Sequence, residues 1–533
     1  MRIGLTIKNY RCFSEASPAK IFLKKGFTAF VGVNNSGKTS LLRFFYEFRW
    51  LFGMLSNDSH YGQFFSGQLG MGGTQEIADQ EELFYNGNQS GMAIEVESLD
   101  VVQDPAAPPI VSRVEILFER VTKTWSPRFF VGDDEVDRDM VQRSGPPAQF
   151  KDGILLLNNQ VPRADFRAIM AVCKAMSEAY YIPSFRHVSA YSPVEGAATN
   201  YYDIRVGRPF IDVWIDHQAG SSLQGRSQIH RLTNDIKEIF GFDELQIHSS
   251  SNRHTLHLNV DGAPFNLQGL GSGLTQFILV LGNVAFRQSS YILIDEPELN
   301  LHPSLQVKLL MKLGGYASEG VLFATHNLGL ARSVAEQTYA VATDTKGSHV
   351  SEMRGVPRLA ELLGELNYEG YRALGFSKLL LVKGRTGFKT FVELLRVFSK
   401  DHEFLVVPMS DLINRYSKDE LQEVTRICPK TFAVIDSEKK TANEELQEGR
   451  KIFVQHCLDL NIECHVLERR AIENYFSDRA IKEAQGTRYS ALAPYEDRSA
   501  KPLWPKTDNW KIARKMDIRE IDGTDLGRFL ARV

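Results

Sequence analysis

The stretch Gly32-Val33-Asn34-Asn35-Ser36-Gly37-Lys38-Thr39 constrains this chain more than any other. It follows a short apolar run, Phe27 to Val31, and precedes Ser40-Leu41-Leu42-Arg43-Phe44-Phe45, which has helical character. A strand, a turn spaced G-x-x-x-x-G-K-[ST] and a helix form a loop that wraps phosphate oxygens. Gly32 and Gly37 let backbone N–H groups turn inward, and the helix adds its positive N-terminal end. Lys38 supplies a point charge for β- and γ-phosphates, and the Thr39 hydroxyl is a hard ligand for Mg²⁺. Asn34, Asn35, Ser36 and Ser40 complete the candidate nucleotide-binding set.

A chain of 533 residues is too long for one core, so several domains are expected. Hydrophobic content of 43% and charged content of 24% are those of an ordinary globular protein. No apolar run is long enough for a membrane helix, and Met1-Arg2-Ile3-Gly4-Leu5-Thr6-Ile7 reads as a strand rather than a signal peptide. Cys12, Cys173, Cys428, Cys457 and Cys464 lack metal-ligand spacing, which suits free thiols and a cytoplasmic setting. With a net charge of −3, any nucleic-acid contact has to be a local patch.

Residues 1–31 pattern as paired strands, and the helix after the loop continues to about Leu55. Gln63, Gln68, Gln75 and Gln80 follow in a Gly-rich region, each placed where a nucleotide-sensing glutamine could sit. Met92 to Asn158 alternates as strands do, predicting an antiparallel β subdomain inserted at about 57–260. A second anion-binding turn appears at Leu270-Gly271-Ser272-Gly273-Leu274-Thr275-Gln276, opening an apolar helix through Phe286. The apolar strand Tyr291 to Ile294 then ends in Asp295-Glu296-Pro297-Glu298. Asp295 can hold Mg²⁺, and Glu296 is placed to polarise an attacking water. A further apolar strand, Val321 to Ala324, ends in Thr325-His326-Asn327, where His326 could contact a γ-phosphate.

In that order, these four stretches resemble the Walker A, signature, Walker B and H-loop motifs of ABC-type ATPases. The Asp-Glu-Pro-Glu-Leu-Asn-Leu-His-Pro ending is similar to the branch holding OLD-family, SMC-like and Rad50-like proteins. No long heptad coiled coil interrupts residues 40–270, which argues against Rad50 or SMC proper. The resemblance implies an α/β fold: an ABC-type P-loop ATPase domain over 1–350, with ATP and Mg²⁺ as ligands. It further implies a homodimer or higher homo-oligomer in which Lys38 and Thr39 of one subunit face Ser272 and Gly273 of the other. Catalytic roles then fall to Lys38, Glu296 and His326.

Beyond a linker helix placed at 351–376, strands and helices alternate, which implies a small parallel sheet. Residues 377–480 resemble the TOPRIM domain that follows the ATPase in OLD-family proteins. In that family the first strand usually ends V-E-G-x-[ST]-[DE] and a later one D-x-D. Here the first position is Lys383 and the next acidic position is Gly387, while Asp436-Ser437-Glu438 and Glu473 remain as metal-ligand candidates. An ammonium at a central ligand position repels metal ions, so a catalytically degenerate domain is favoured over an active one. Lys383 and Arg385 could instead bind phosphate. The segment 481–533 mixes basic residues with Trp504 and Trp510, fitting either nucleic-acid contact or a packed terminal helix; Lys506 is the candidate for the late lysine that assists cleavage in this family.

The expectation is an ATP-hydrolysing, OLD-like protein of bacterial anti-phage defence, acting on or sensing nucleic acid, with DNA as the partner polymer. Two alternatives stand beside it. One is a divergent Mg²⁺-dependent DNA endonuclease using Asp436, Glu438 and Glu473. The other is an ATP-gated scaffold that holds and releases a partner effector protein.

Overall fold

The computed structural model describes residues 1–61, 64, 80–136, 149–157, 161–184, 200–219, 223–250, 255–299, 301–344, 347–353, 377–410 and 416–533. Of the linker helix placed at 351–376, Ser351 and Glu352 instead end the strand Gly347–Glu352, while residues 354–376 lie outside the described residues, as do Gln63, Gln68 and Gln75. The chain divides into two compact units. The first comprises Met1–Leu301, Lys308–His326 and Gln337–Met353; the second comprises His302–Val307, Asn327–Glu336 and Arg354–Val533.

The first unit is built on a six-stranded sheet. Its order is Tyr180–Ile182, Ser289–Asp295, Ala317–Thr325, Gly26–Val31, Gln337–Asp344 and Gly347–Glu352. The first five strands are parallel and the last returns antiparallel. Every residue of Ser289–Asp295 is buried, as expected of a parallel strand covered on both faces. Register then does the positioning. Ala324 sits opposite both Asp295 and Phe30, and Thr325 sits opposite Val31. The phosphate loop, the acid pair and the His326 turn therefore leave the same carboxyl edge of one sheet, where α/β folds bind ligands.

A second sheet of this unit is antiparallel, in the order Ala19–Leu23, Ile3–Lys8, Met92–Ser98, Arg113–Phe118, Trp125–Val131 and Asp134–Glu135. Met92–Ser98 alternates buried and half-buried positions along its length, and it pairs with the N-terminal strand, Ile3 against Ser98 and Ile7 against Ile94. The antiparallel strands expected after residue 57 are thus continuous with the N-terminal hairpin. The loop helix runs Lys38–Glu47, breaks at Phe48, and resumes as Arg49–Leu55. Its apolar face carries Phe44, Phe48 and Phe52 into an aromatic core with Tyr10 and Trp125. The fold of this unit is α/β, of the P-loop ATPase type, with mixed sheets.

The second unit holds a four-stranded, wholly parallel sheet in the order Phe404–Met409, Lys378–Lys383, Thr431–Ile435 and Glu463–Val466. Leu379, Leu381, Val407, Ala433 and Ile435 form its core with Leu421 and Phe453 of the flanking helices Lys418–Ile427 and Glu448–Asp459. The strand met first in the chain lies inside the sheet: it connects to Phe404–Met409 on one side, whereas its other neighbour, Thr431–Ile435, connects outward to Glu463–Val466. Lys383 and Asp436 consequently face one another at the carboxyl end of that switch point. Trp504 and Trp510 are buried, and the Trp504 indole donates to Asn509 Oδ1 at 2.8 Å. Of the two expectations for residues 481–533, the packed alternative describes these tryptophans.

Candidate active site

The phosphate loop needs its glycines. A Cβ on Gly32 would lie 2.1 Å from the Val341 carbonyl oxygen, and one on Gly37 would lie 2.7 Å from Cys12 Sγ. Gly37 and Asn35 also hold left-handed backbone, at φ 105° and 64°. The helix Lys38–Glu47 is capped by Gly37 with no side-chain hydrogen bond, leaving its first-turn N–H groups to an incoming anion. Ser36 Oγ is buried without a hydrogen-bond partner among the described residues. Lys38 Nζ donates to the carbonyls of Gly32 and Val33, both at 2.8 Å. Burial holds its ammonium below the ordinary lysine value, against the pull of Asp295, Glu296 and Glu298. Resting on two carbonyls of its own loop, Lys38 can exchange them for phosphate oxygens.

Thr39 Oγ1 donates to Asp295 Oδ2 at 2.7 Å, joining the loop to the acid pair. Asp295 is 4% exposed, and its Oδ1 is buried with no hydrogen-bond partner among the described residues. Burial pushes its carboxyl up to about 6; Thr39 and Lys38 oppose that shift while Glu296 and Glu298 add to it. Glu296 adopts φ 49°, a left-handed conformation that costs a non-glycine residue about 1 kcal/mol or more. Its N–H donates to Ala324 O at 2.8 Å, tying the strained residue to the neighbouring strand.

The third acid of the run is the residue whose role sequence reasoning missed. Glu298 Oε1 accepts from Thr325 Oγ1 at 2.6 Å and from His326 N at 3.0 Å, and His326 Nδ1 lies 3.1 Å away. The signal was present as the carboxylate three residues after Asp295, but only the parallel register reveals its partner. Lys38, Thr39, Asp295, Glu296 and His326 are therefore gathered at one sheet edge. Ser272 and Gly273 begin the helix Ser272–Ala285, preceded by Gly271. That helix packs on Leu223–Phe240 through Phe277 and Phe240, and it is pinned by Arg205 N donating to Asn283 Oδ1 at 2.8 Å. Gln80 opens the short turn Gln80–Leu83.

In the second unit, a lysine stands among the predicted metal-binding acids. Lys383 Nζ donates to Glu438 Oε1 at 2.6 Å and lies 3.6 Å from Asp436 Oδ2. Arg450 adds a guanidinium 2.6 Å from Glu438 Oε1 and donates from Nε to the Asp436 carbonyl at 2.9 Å. Burial pulls Lys383 down, yet the two carboxylates outweigh it and hold the ammonium above its ordinary value. Burial raises Asp436, with Lys383 opposing and Glu473 adding. Burial also works to raise Glu438, but Lys383 and Arg450 prevail and hold it below the usual carboxylate range. Glu473, 1% exposed, accepts from Asn509 Nδ2 at 2.9 Å and lies 3.8 Å from Lys506 Nζ. Among the described residues, no group of three or more His, Cys, Asp and Glu side chains is placed to hold a metal ion. Arg385 Nη1 donates to the Glu336 carbonyl at 3.0 Å.

Residues 1–55 match the family described as AAA ATPase domain, and residues 186–332 match that described as AAA domain, putative AbiEii toxin, Type IV TA system. The first stretch contains Lys38 and Thr39; the second contains Ser272, Asp295, Glu296 and His326. No curated protein matches the chain. Among solved structures it is similar to the SMC head domain from Thermotoga maritima, at 14% identity over 67% of this chain and 100% of that one, with a TM-score of 0.33. It is also similar to the Smc head bound to the C-winged helix domain of ScpA, at 10% identity over 66% and 96%, TM-score 0.37. A third similarity is to a Smc head with an extended coiled coil bound to the C-terminal domain of ScpA derived from Pyrococcus furiosus, at 11% over 69% and 100%, TM-score 0.33. The two matched stretches, both described as AAA domains, thus contain residues from both halves of the site. Among the described residues, no helix is long and apolar enough to cross a membrane.

Proposed function

We propose that the protein binds and hydrolyses ATP at the edge formed by Lys38, Thr39, Asp295 and Glu296. One observation carries this reading: Thr39 and Asp295, 256 residues apart in sequence, are joined by a 2.7 Å hydrogen bond. The donor set fits Mg²⁺, because a hydroxyl and a buried carboxylate oxygen without a partner are hard oxygen ligands. Thr39 and Asp295 would hold the ion, which supplies charge neutralisation on the phosphate oxygens. Gly32 to Ser40 wrap the phosphates, Lys38 moves its ammonium from the loop carbonyls to the β- and γ-oxygens, and Glu296 accepts the proton of the attacking water. His326 contacts the γ-phosphate. In a head-to-tail homodimer, Ser272 and Gly273 of one subunit close the site of the other.

The finer reading is an OLD-like protein of anti-phage defence whose TOPRIM-like second domain acts on or senses nucleic acid without cutting it. The Lys383 ammonium at 2.6 Å from Glu438 favours this, and favours the ATP-gated scaffold with a partner effector over a nuclease using Asp436, Glu438 and Glu473. Incubating the full chain with plasmid DNA and Mg²⁺ or Mn²⁺ tests the point. Intact plasmid is expected, and cleavage abolished by Asp436→Ala would establish the nuclease instead. Phosphate release from ATP that ends in Glu296→Gln, with nucleotide binding kept, tests the ATPase.

A further inference from the structure

Glu298 has no role in the ATP chemistry described so far, yet one oxygen of its carboxylate is met by Thr325 and twice by His326. One oxygen takes the Thr325 hydroxyl at 2.6 Å and the His326 backbone N–H at 3.0 Å, with the His326 ring Nδ1 at 3.1 Å. The Glu298 side chain is 7% exposed, whereas that of His326 is 54% exposed. One edge of the imidazole is therefore held by protein and the opposite edge is open.

We infer that Glu298 is a positioning residue for ATP hydrolysis, fixing the proton and the orientation of His326. The inference rests on the ATPase reading above. A carboxylate only accepts hydrogen bonds, so the ring nitrogen beside it carries a proton. His326 is consequently protonated at Nδ1, which leaves Nε2 as the ring nitrogen that meets the γ-phosphate on the ATPase reading. When the ring carries both protons, Nε2–H donates to the phosphate while the Glu298 charge balances the imidazolium, the logic by which a carboxylate orients a working histidine elsewhere. The same Oε1 also fixes the main chain of the His326 turn relative to the Asp295-Glu296 turn.

The test uses the full-length chain labelled with ¹⁵N-histidine, in wild type and in Glu298→Ala, Glu298→Gln and His326→Ala. The His326 nitrogen shifts of the wild type are expected to report a proton at Nδ1, and Glu298→Ala is expected to lose that preference. Its kcat for ATP is expected to fall about 10- to 100-fold with nucleotide affinity near that of wild type, the range typical of removing a histidine's orienting partner. Glu298→Gln, which keeps an acceptor oxygen without the charge, is expected to fall between. In a His326→Ala background, adding Glu298→Ala is expected to cost nothing more. An equal further loss in that background, or a nitrogen spectrum unchanged by Glu298→Ala, overturns the assignment. If wild type releases no phosphate from ATP, the ATPase reading fails on its own, and the nitrogen shifts still decide whether Glu298 sets the ring.

Discussion

Asp295 ends one parallel strand of the first unit and Glu296 follows it; Asp436, Ser437 and Glu438 follow one parallel strand of the second. In each case a glutamate sits in left-handed backbone, at φ 49° for Glu296 and 55° for Glu438. Their electrostatic surroundings differ. Asp295 has a neutral hydroxyl for a partner and a second oxygen buried without one among the described residues, and its carboxyl is pushed up to about 6. Glu438 is met by Lys383 and Arg450, both at 2.6 Å, and its carboxyl is held low. The first pair has no cation in hydrogen-bond contact with Asp295 among the described residues, only the more distant pull of Lys38. The second is held in ion pairs with cationic side chains of the chain itself. A strand-end acid pair is thus a site or a structural brace according to what stands opposite it.

The sharpest break of this comparison is kinetic. Glu296→Gln is expected to keep ATP binding and lower kcat at least about 100-fold, as loss of a general base does; phosphate release at the wild-type rate would remove Glu296 from the chemistry. Next comes stability of the ATP-free protein. The folded value of Asp295, about 6, lies above its ordinary 3.8, so its protonated form favours folding. That contribution is fully present below the unfolded value and is lost as pH rises through 6. Asp295→Asn should therefore raise the melting temperature near pH 8, by an amount equivalent to about 2 kcal/mol, and change little near pH 4. A lower melting temperature at pH 8 would contradict the uncompensated charge.

In the second unit the sign reverses. Lys383→Ala leaves two acids without their central cation and is expected to destabilise by about 2 kcal/mol, less than a fully buried pair because Glu438 remains 35% exposed. Mn²⁺ should then raise the melting temperature of this variant more than that of the wild type, whose Thr39–Asp295 edge is common to both; an equal response in the two would show that Lys383 does not fill the site. The smallest effect belongs to Lys506→Ala. Its ammonium is 50% exposed and 3.8 Å from Glu473, so denaturant titration should register under about 1 kcal/mol.

Local pattern carried much of this in the sequence. The spacing around Gly32 and Lys38, and an apolar strand closing on Asp295 and Glu296, mark a candidate phosphate loop and acid pair without a structure. Lys383 likewise stood out because it replaces an acid of the resembled family. What could not be read was pairing across the chain. Met92–Ser98 alternates as any half-buried strand does, and nothing in it names Ile3–Lys8 as its neighbour. Glu298 was passed over for the same reason, since its partners lie 27 and 28 residues on, across a parallel register. Trp504 was undecidable because its polar handle finds Asn509, which in turn holds Glu473, a chain of contacts that composition does not encode.

The strand leading to Lys38 spans Gly26–Val31, and both of its sheet neighbours, Ala317–Thr325 and Gln337–Asp344, are made some 300 residues later. On a ribosome adding about 5–20 residues per second, that apolar segment emerges tens of seconds before either flank exists. Newborn chains therefore pass through a long interval with an open, sticky edge, and holdase chaperones have a defined segment to guard during that time.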